Sequence, residues 1–232
     1  MVCRQRTDSL RHSDTRLGAA IAFKATRPEL VHQWHGPCTD RIDYRFESRR
    51  LMNLMTRLPG LLIRKPVSKD ASAIASLHIR SWQSAYRGLL SATYLNALDA
   101  SVARRVAFLT QAIETNEPSI RVAELNGATV GWASFGPSRD EDAAASTAEL
   151  MAIYLDPQVW GQGIGPALWA DIRQTMRDEG YQHVSAWVLD GNERAKRFYF
   201  KQGFTAQAAS QRVVEENAEP LALTRYARVL DR

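Results

Sequence analysis

Short apolar runs alternate along this chain with stretches whose apolar side chains recur every three or four residues, and that alternation predicts strands interleaved with helices. Residues 61–65 read as a first strand, Leu61-Leu62-Ile63-Arg64-Lys65. Ser68 or Asp70 then caps a helix whose stripe is Ile74, Leu77, His78, Ser81, Trp82 and Ala85. A second helix over 100–115 buries Val102, Val106, Leu109 and Ile113. Strands at 120–125 and 129–135 are joined by Asn126-Gly127, the pair best suited to the two positive φ values of a tight hairpin turn. Residues 137–147 are polar, then alanine-rich, and read as a solvated loop. An apolar strand over 148–155 ends at Asp156-Pro157, because proline has no N–H to give a ladder. The helix that follows carries Ile164, Leu168, Ile172 and Met176 on one face and stops at Gly180. A strand at 182–189, a helix at 193–202 stopped by Gly203, and strands at 205–214 and 221–229 complete the order.

The run Gly161-Gln162-Gly163-Ile164-Gly165 lies between the 148–155 strand and a helix start. Unpaired backbone N–H groups at the positive end of a helix bind phosphate. A Walker-type loop needs Gly-Lys-Ser/Thr at its close, and Gly165 is followed by Pro166-Ala167. A dinucleotide fingerprint would place Asp190 near the ribose-binding acid, but its third glycine falls at Pro166. That reading is weakened and stays open.

Downstream stands Asn192-Glu193-Arg194-Ala195-Lys196-Arg197-Phe198-Tyr199-Phe200-Lys201-Gln202-Gly203-Phe204. It resembles the signature N-x-x-A-x-x-F-Y-x-x-x-G-F of the GNAT superfamily of N-acetyltransferases, with every marked position present. Trp160-Gly161-Gln162-Gly163-Ile164-Gly165 is similar to that family's acyl-CoA loop, Arg/Gln-x-x-Gly-x-Gly/Ala, with Trp160 where Arg or Gln is usual. The resemblance spans roughly residues 61–230. It implies an α/β GNAT fold, a mixed central sheet of about six to seven strands flanked by about four helices. It also implies acetyl-CoA as cosubstrate and direct acetyl transfer to an amine of a small molecule or peptide, with no metal. The backbone of Ile153, Tyr154 and Leu155 would hold the pantetheine amides, and the amides of Gly161, Gln162, Gly163, Ile164 and Gly165 the pyrophosphate. Pro166 has no N–H to add to these. Asn192 would bond the pantetheine carbonyl region, and Trp82 and Tyr86 either line the acceptor pocket or fill core.

Acetyl transfer needs a neutral amine, and an alkyl ammonium of pKa about 10.4 is neutral to only about one part in a few thousand at pH 7. A general base recovers that loss, and a nearby acid helps the thiolate leave. By resemblance Tyr199 is the acid, or else a packing residue. Glu149 is the candidate base, since a carboxylate inside an apolar strand is costly to bury and is expected to face a wet cleft. A water relay without a dedicated base is the other possibility. His78 is expected to be a core or wall residue rather than a base. Two readings from other classes remain beside the enzyme: a non-catalytic acyl-CoA-binding module and a dinucleotide-binding domain.

Charge changes the picture in one respect. Residues 1–60 hold 11 Lys+Arg and 6 Asp+Glu, whereas residues 61–232 hold 19 of each. The basic balance belongs to the first quarter, which reads as a poorly ordered basic N-terminal extension ahead of a 61–232 acetyltransferase domain. Met52 or Met55 is a candidate translation start. Cys3, His32, His35 and Cys38 lack the paired spacing of a zinc site. The extension has no secretory pattern, and a nucleic-acid arm would want aromatic interleaving that it lacks. No run reaches the length of a membrane span, so the protein is expected in the cytoplasm and off the membrane, with a homodimer left open.

Overall fold

A computed structural model describes residues 58–216 and 219–230. The sequence expectations for residues 1–57, including the cysteines, His32, His35 and the extension itself, lie outside the described residues. Seven strands, β1 (Leu61–Arg64), β2 (Ser119–Leu125), β3 (Ala128–Pro137), β4 (Thr147–Leu155), β5 (His183–Leu189), β6 (Thr205–Glu216) and β7 (Glu219–Val229), form one sheet in the order β1-β2-β3-β4-β5-β7-β6. Every neighbouring pair is antiparallel except β4 and β5. The expected mixed sheet is present.

The helices are α1 (Ala71–Ala85), α2 (Ala92–Ala97), α3 (Val102–Thr115), α4 (Ile164–Asp178) and α5 (Glu193–Lys201). Four are the expected ones; α2 is additional. Ser91 starts it by accepting a hydrogen bond from the Tyr94 N–H at 3.1 Å. The cap of α1 differs from expectation. Asp70 makes no side-chain cap to it; its carboxylate accepts from the Val67 N–H at 2.7 Å and from Arg64 at 2.7 and 3.0 Å. Hydrogen bonding to Arg64 holds the Asp70 carboxyl below its ordinary pKa against the opposing effect of burial. The β1 strand is thereby tied to the start of α1.

The apolar stripe of α4 behaves as its spacing dictates: Ile164, Leu168, Ile172 and Met176 are all fully buried. Leu168, Ile172 and Met176 meet Ala133 and Phe135 of β3, Leu150 of β4 and Val184, Ala186 and Val188 of β5 in the larger core cluster. A separate cluster joins Ile74 and Leu77 of α1 and Leu109 of α3 to Ile120, Val122 and Trp132. Side chains on alternate strand positions face opposite sides of a sheet, so the two clusters form helical layers on its two faces. The Asn126-Gly127 turn has φ values of 51 and 83°, as a two-residue hairpin of this hand requires. No helix among the described residues is long and apolar enough to cross a membrane.

Candidate active site

The sheet opens between β4 and β5. Their parallel pairing covers only Thr147↔His183, Ala148↔Val184 and Glu149↔Ser185, and beyond it the two strands diverge. β4 stays on β3 through a bulge that leaves Met151 without a register partner, while β5 stays on β7. The facing edges of residues 150–155 and 186–189 therefore lack ladder partners on each other. Backbone N–H and C=O groups want partners, and an extended chain rich in amides can supply them as an added strand. A cleft of about 470 Å³ lies in this gap, within the size range of small-ligand sites.

At one end of the cleft is the glycine run. Gly161 and Gly163 have φ of 80 and 90°, left-handed values that glycine adopts without steric cost. Gly163 starts α4 with no side-chain cap, and a glycine there puts no Cβ beside the first N–H groups of the helix. Gly165 has a different task. A Cβ there would lie 3.3 Å from Phe198 and 3.4 Å from Leu155, so this glycine lets α5 pack against the start of α4. Gly161, Gly163, Gly165 and Pro166 line the cleft. Gln162 does not line the cleft, its side chain donating to the Gln158 carbonyl at 3.1 Å, and the Ile164 side chain is in the core.

Ile153, Tyr154 and Leu155 also line the cleft. The Leu155 carbonyl is already engaged, accepting from Ser81 Oγ at 2.7 Å and Trp160 Nε1 at 3.1 Å. A carbonyl has two lone pairs, and both of this one are taken. Trp160 thus braces the end of β4.

Deeper in the cleft, Tyr86, Tyr154, Asn192 and Tyr199 converge. Asn192 Oδ1 accepts from the Ala195 N–H at 3.1 Å and caps α5, which leaves its amide N–H groups for other partners. Burial raises the Tyr86 pKa well above its ordinary value; Tyr154 raises it further, and a hydrogen bond with Asn192 opposes the shift. Burial, then the proximity of Tyr154, raises the Tyr199 pKa as well. Both phenols are therefore protonated at neutral pH. The Tyr199 ring is fixed by Phe198, Phe204 and Tyr226 at centroid distances of 5.4, 5.1 and 5.9 Å. Trp82 packs edge-on to Tyr86 at 4.8 Å, and both line the cleft. His78 does not line the cleft; it stands behind Tyr154, stacked on its ring at 4.6 Å, with Nδ1 3.1 Å from Arg105. Burial first, and then Arg105, lowers its pKa well below the ordinary value.

Glu149 departs from expectation. It is 2% exposed and does not line the cleft. Its carboxylate accepts from Arg139 Nε at 2.8 Å, from Arg139 Nη2 and from the Arg139 N–H at 3.3 Å. The expected wet cleft around it is replaced by a forked ion pair. The 137–147 loop that supplies Arg139 is pinned as well, not freely solvated. Asp140 accepts from Trp187 Nε1 at 3.0 Å, and Asp142 accepts from Arg225 at 2.5 and 2.6 Å.

The sequence model of the acetyltransferase (GNAT) family matches residues 79–204, which hold both the glycine run and the segment from Asn192 to Phe204. The chain belongs to this family. Among curated relatives, the GNAT-family chain is 30% identical to the N-acetyltransferase YuaI of Bacillus subtilis over 158 residues, covering 68% of this chain and 84% of YuaI. It is 27% identical to the L-amino acid N-acyltransferase MnaT of Escherichia coli over 155 residues, 67% and 86% of the two chains. Among solved structures, the acetyltransferase YncA of Salmonella typhimurium, determined with its cofactor acetyl-CoA, superposes with a TM-score of 0.57 at 25% identity. That match covers 74% of this chain and 95% of YncA.

Three basic cleft residues of this GNAT domain were not singled out from the sequence: Arg194, Arg197 and Lys201, all on α5. Their i, i+3, i+7 spacing places them on one helix face, and that spacing is the signal that could have found them. No carboxylate or histidine accompanies them on the cleft wall among the described residues.

Proposed function

We propose that this GNAT-family protein transfers an acetyl group from acetyl-CoA directly to the amine of a small molecule or peptide. The observation that carries the reading is the split between β4 and β5, with an uncapped helix start at one end and the protonated Tyr199 in its wall. An extended pantetheine arm fits a gap between strand edges, and the anionic end of the donor fits the glycine loop. The solved complex of YncA with acetyl-CoA and the acyl transfer in the name of MnaT support the same donor. The amino acid acceptor named for MnaT supports a small-molecule amine here.

In the proposed reaction the amine attacks the thioester carbonyl, the acetyl group passes to nitrogen, and the thiolate leaves. Tyr199 donates a hydrogen bond and then its proton to the departing sulfur. With no carboxylate or histidine on the cleft wall among the described residues, the acceptor ammonium loses one proton to water before attack, and the proton that nitrogen sheds on attack returns through water to the Tyr199 phenolate; kcat/KM therefore rises with pH alongside the neutral fraction of the acceptor. Release of free thiol from acetyl-CoA across a panel of amines tests the reading against a module that only binds acyl-CoA, which would bind without turnover. Binding of NAD in preference to CoA would favour a dinucleotide domain.

Backbone approach at the loop has a direct consequence. Gly163→Val places a branched side chain beside the uncapped N–H groups and is expected to weaken CoA binding at least tenfold, about 1.4 kcal/mol. Calorimetry measures it, with circular dichroism confirming the fold; unchanged affinity would count against the donor assignment. The proposed chemistry resides in residues 61–232. Deleting residues 1–55 should leave kcat and the melting temperature near the full-chain values, and a loss of activity would give the extension a part in the site.

A further inference from the structure

Helix α5 has four basic residues and one acidic residue among nine. The acidic one, Glu193, pairs with Lys196 at 3.0 Å. Arg194, Arg197 and Lys201 form no ion pair among the described residues, yet all three line the same cleft. Like charges gathered on one wall repel, and the wall offers no acid to offset them. Phe198 lies on the same helix face, 3.3 Å from where a Cβ of Gly165 would stand, which seats this face on the glycine loop. Arg194 is also held in place. Its guanidinium stands 3.9 Å over the Trp160 ring, and Trp160 is itself fixed by its hydrogen bond to the Leu155 carbonyl at 3.1 Å. Stacking of this kind orients a guanidinium plane while leaving its N–H fork free to meet phosphate oxygens.

We infer that Arg194, oriented by Trp160, is the side-chain cation for the donor's diphosphate, and that it makes the enzyme select diphosphate-bearing acyl donors over acyl-pantetheine. The helix N–H groups of the glycine loop supply fixed dipoles; Arg194 adds a full charge from the facing helix. The inference rests on the proposed use of acetyl-CoA.

The test compares KM for acetyl-CoA, acetyl-dephospho-CoA and acetylpantetheine with one competent amine. Arg194→Gln is expected to raise KM at least tenfold for both diphosphate donors, to leave KM for acetylpantetheine unchanged and to leave kcat within about threefold. Arg194→Lys should recover part of the loss. Trp160→Ala should reproduce most of it, and the double variant should fall short of the sum of the single losses. A KM for acetyl-CoA within twofold of wild type in Arg194→Gln overturns the inference. So does an equal rise for all three donors, which marks a structural role, or a rise confined to acetyl-CoA, which assigns Arg194 to the ribose 3′-phosphate. If the wild-type protein binds no CoA by calorimetry, the donor assignment falls and this inference with it.

Discussion

Tyr199→Phe is expected to lower kcat by about 10²-fold, the lower range for loss of a general acid, with CoA affinity little changed. Phenylalanine keeps the ring that Phe198, Phe204 and Tyr226 hold in place, so the loss reports the hydroxyl alone. Burial raises the Tyr199 pKa, with Tyr154 adding to the shift, and the phenol is therefore a donor over the whole neutral range. The sign of the linkage follows. A tyrosine whose folded pKa lies above its unfolded value of about 10 contributes full stability below pH 10 and loses it as the pH rises further. Raising the pH should help wild type by supplying neutral amine, but it should not restore the variant's activity to wild-type level, because no base replaces a missing acid. Stopped-flow or steady-state pH–rate profiles with one acceptor measure this. Normal turnover by Tyr199→Phe would make the tyrosine a packing residue.

Glu149→Gln is expected to act mainly on stability. Removing one charge of a buried pair leaves the other uncompensated, at a cost of roughly 3 kcal/mol, or a fall of roughly 6–12 °C in Tm for a domain of this size. Arg139 is 22% exposed on its side chain, so water offsets part of the loss. Activity per folded molecule should stay within a few fold at every pH. Thermal denaturation and kcat, measured on the same samples, separate the two effects. A large loss of kcat that high pH recovers would return Glu149 to the role of general base.

The contrast between these two residues shows what was legible in the sequence. Tyr199 was picked out through the resemblance of residues 192–204 to a family signature, and its place in the cleft wall follows from local spacing, seven residues after the Asn192 cap on one short helix. The α4 stripe and the Asn126-Gly127 hairpin were readable for the same reason. Glu149 was visible as a carboxylate in an apolar strand, but its partner stands ten residues earlier in a polar loop with no periodicity. Nothing local says that the loop folds back, because Asp140 and Asp142 hold it through Arg225 of β7, some 83 to 85 residues away. The filled Leu155 carbonyl was hidden for a similar cause, since Ser81 comes from α1, 74 residues earlier. Helix α2 is six residues long, too short for a period to show.

The three-rung seam between β4 and β5 also has mechanical meaning. It makes the sheet two plates, β1–β4 and β5–β7, that share a short hinge line and are otherwise braced by α4 packed across both. A donor lying in the gap would bond to both plates and act as a removable splint. By mass action, occupancy at a hundred times Kd adds about 2.7 kcal/mol to the folded state, comparable to the Glu149–Arg139 pair. The stability of the fold would therefore follow the supply of its own cosubstrate.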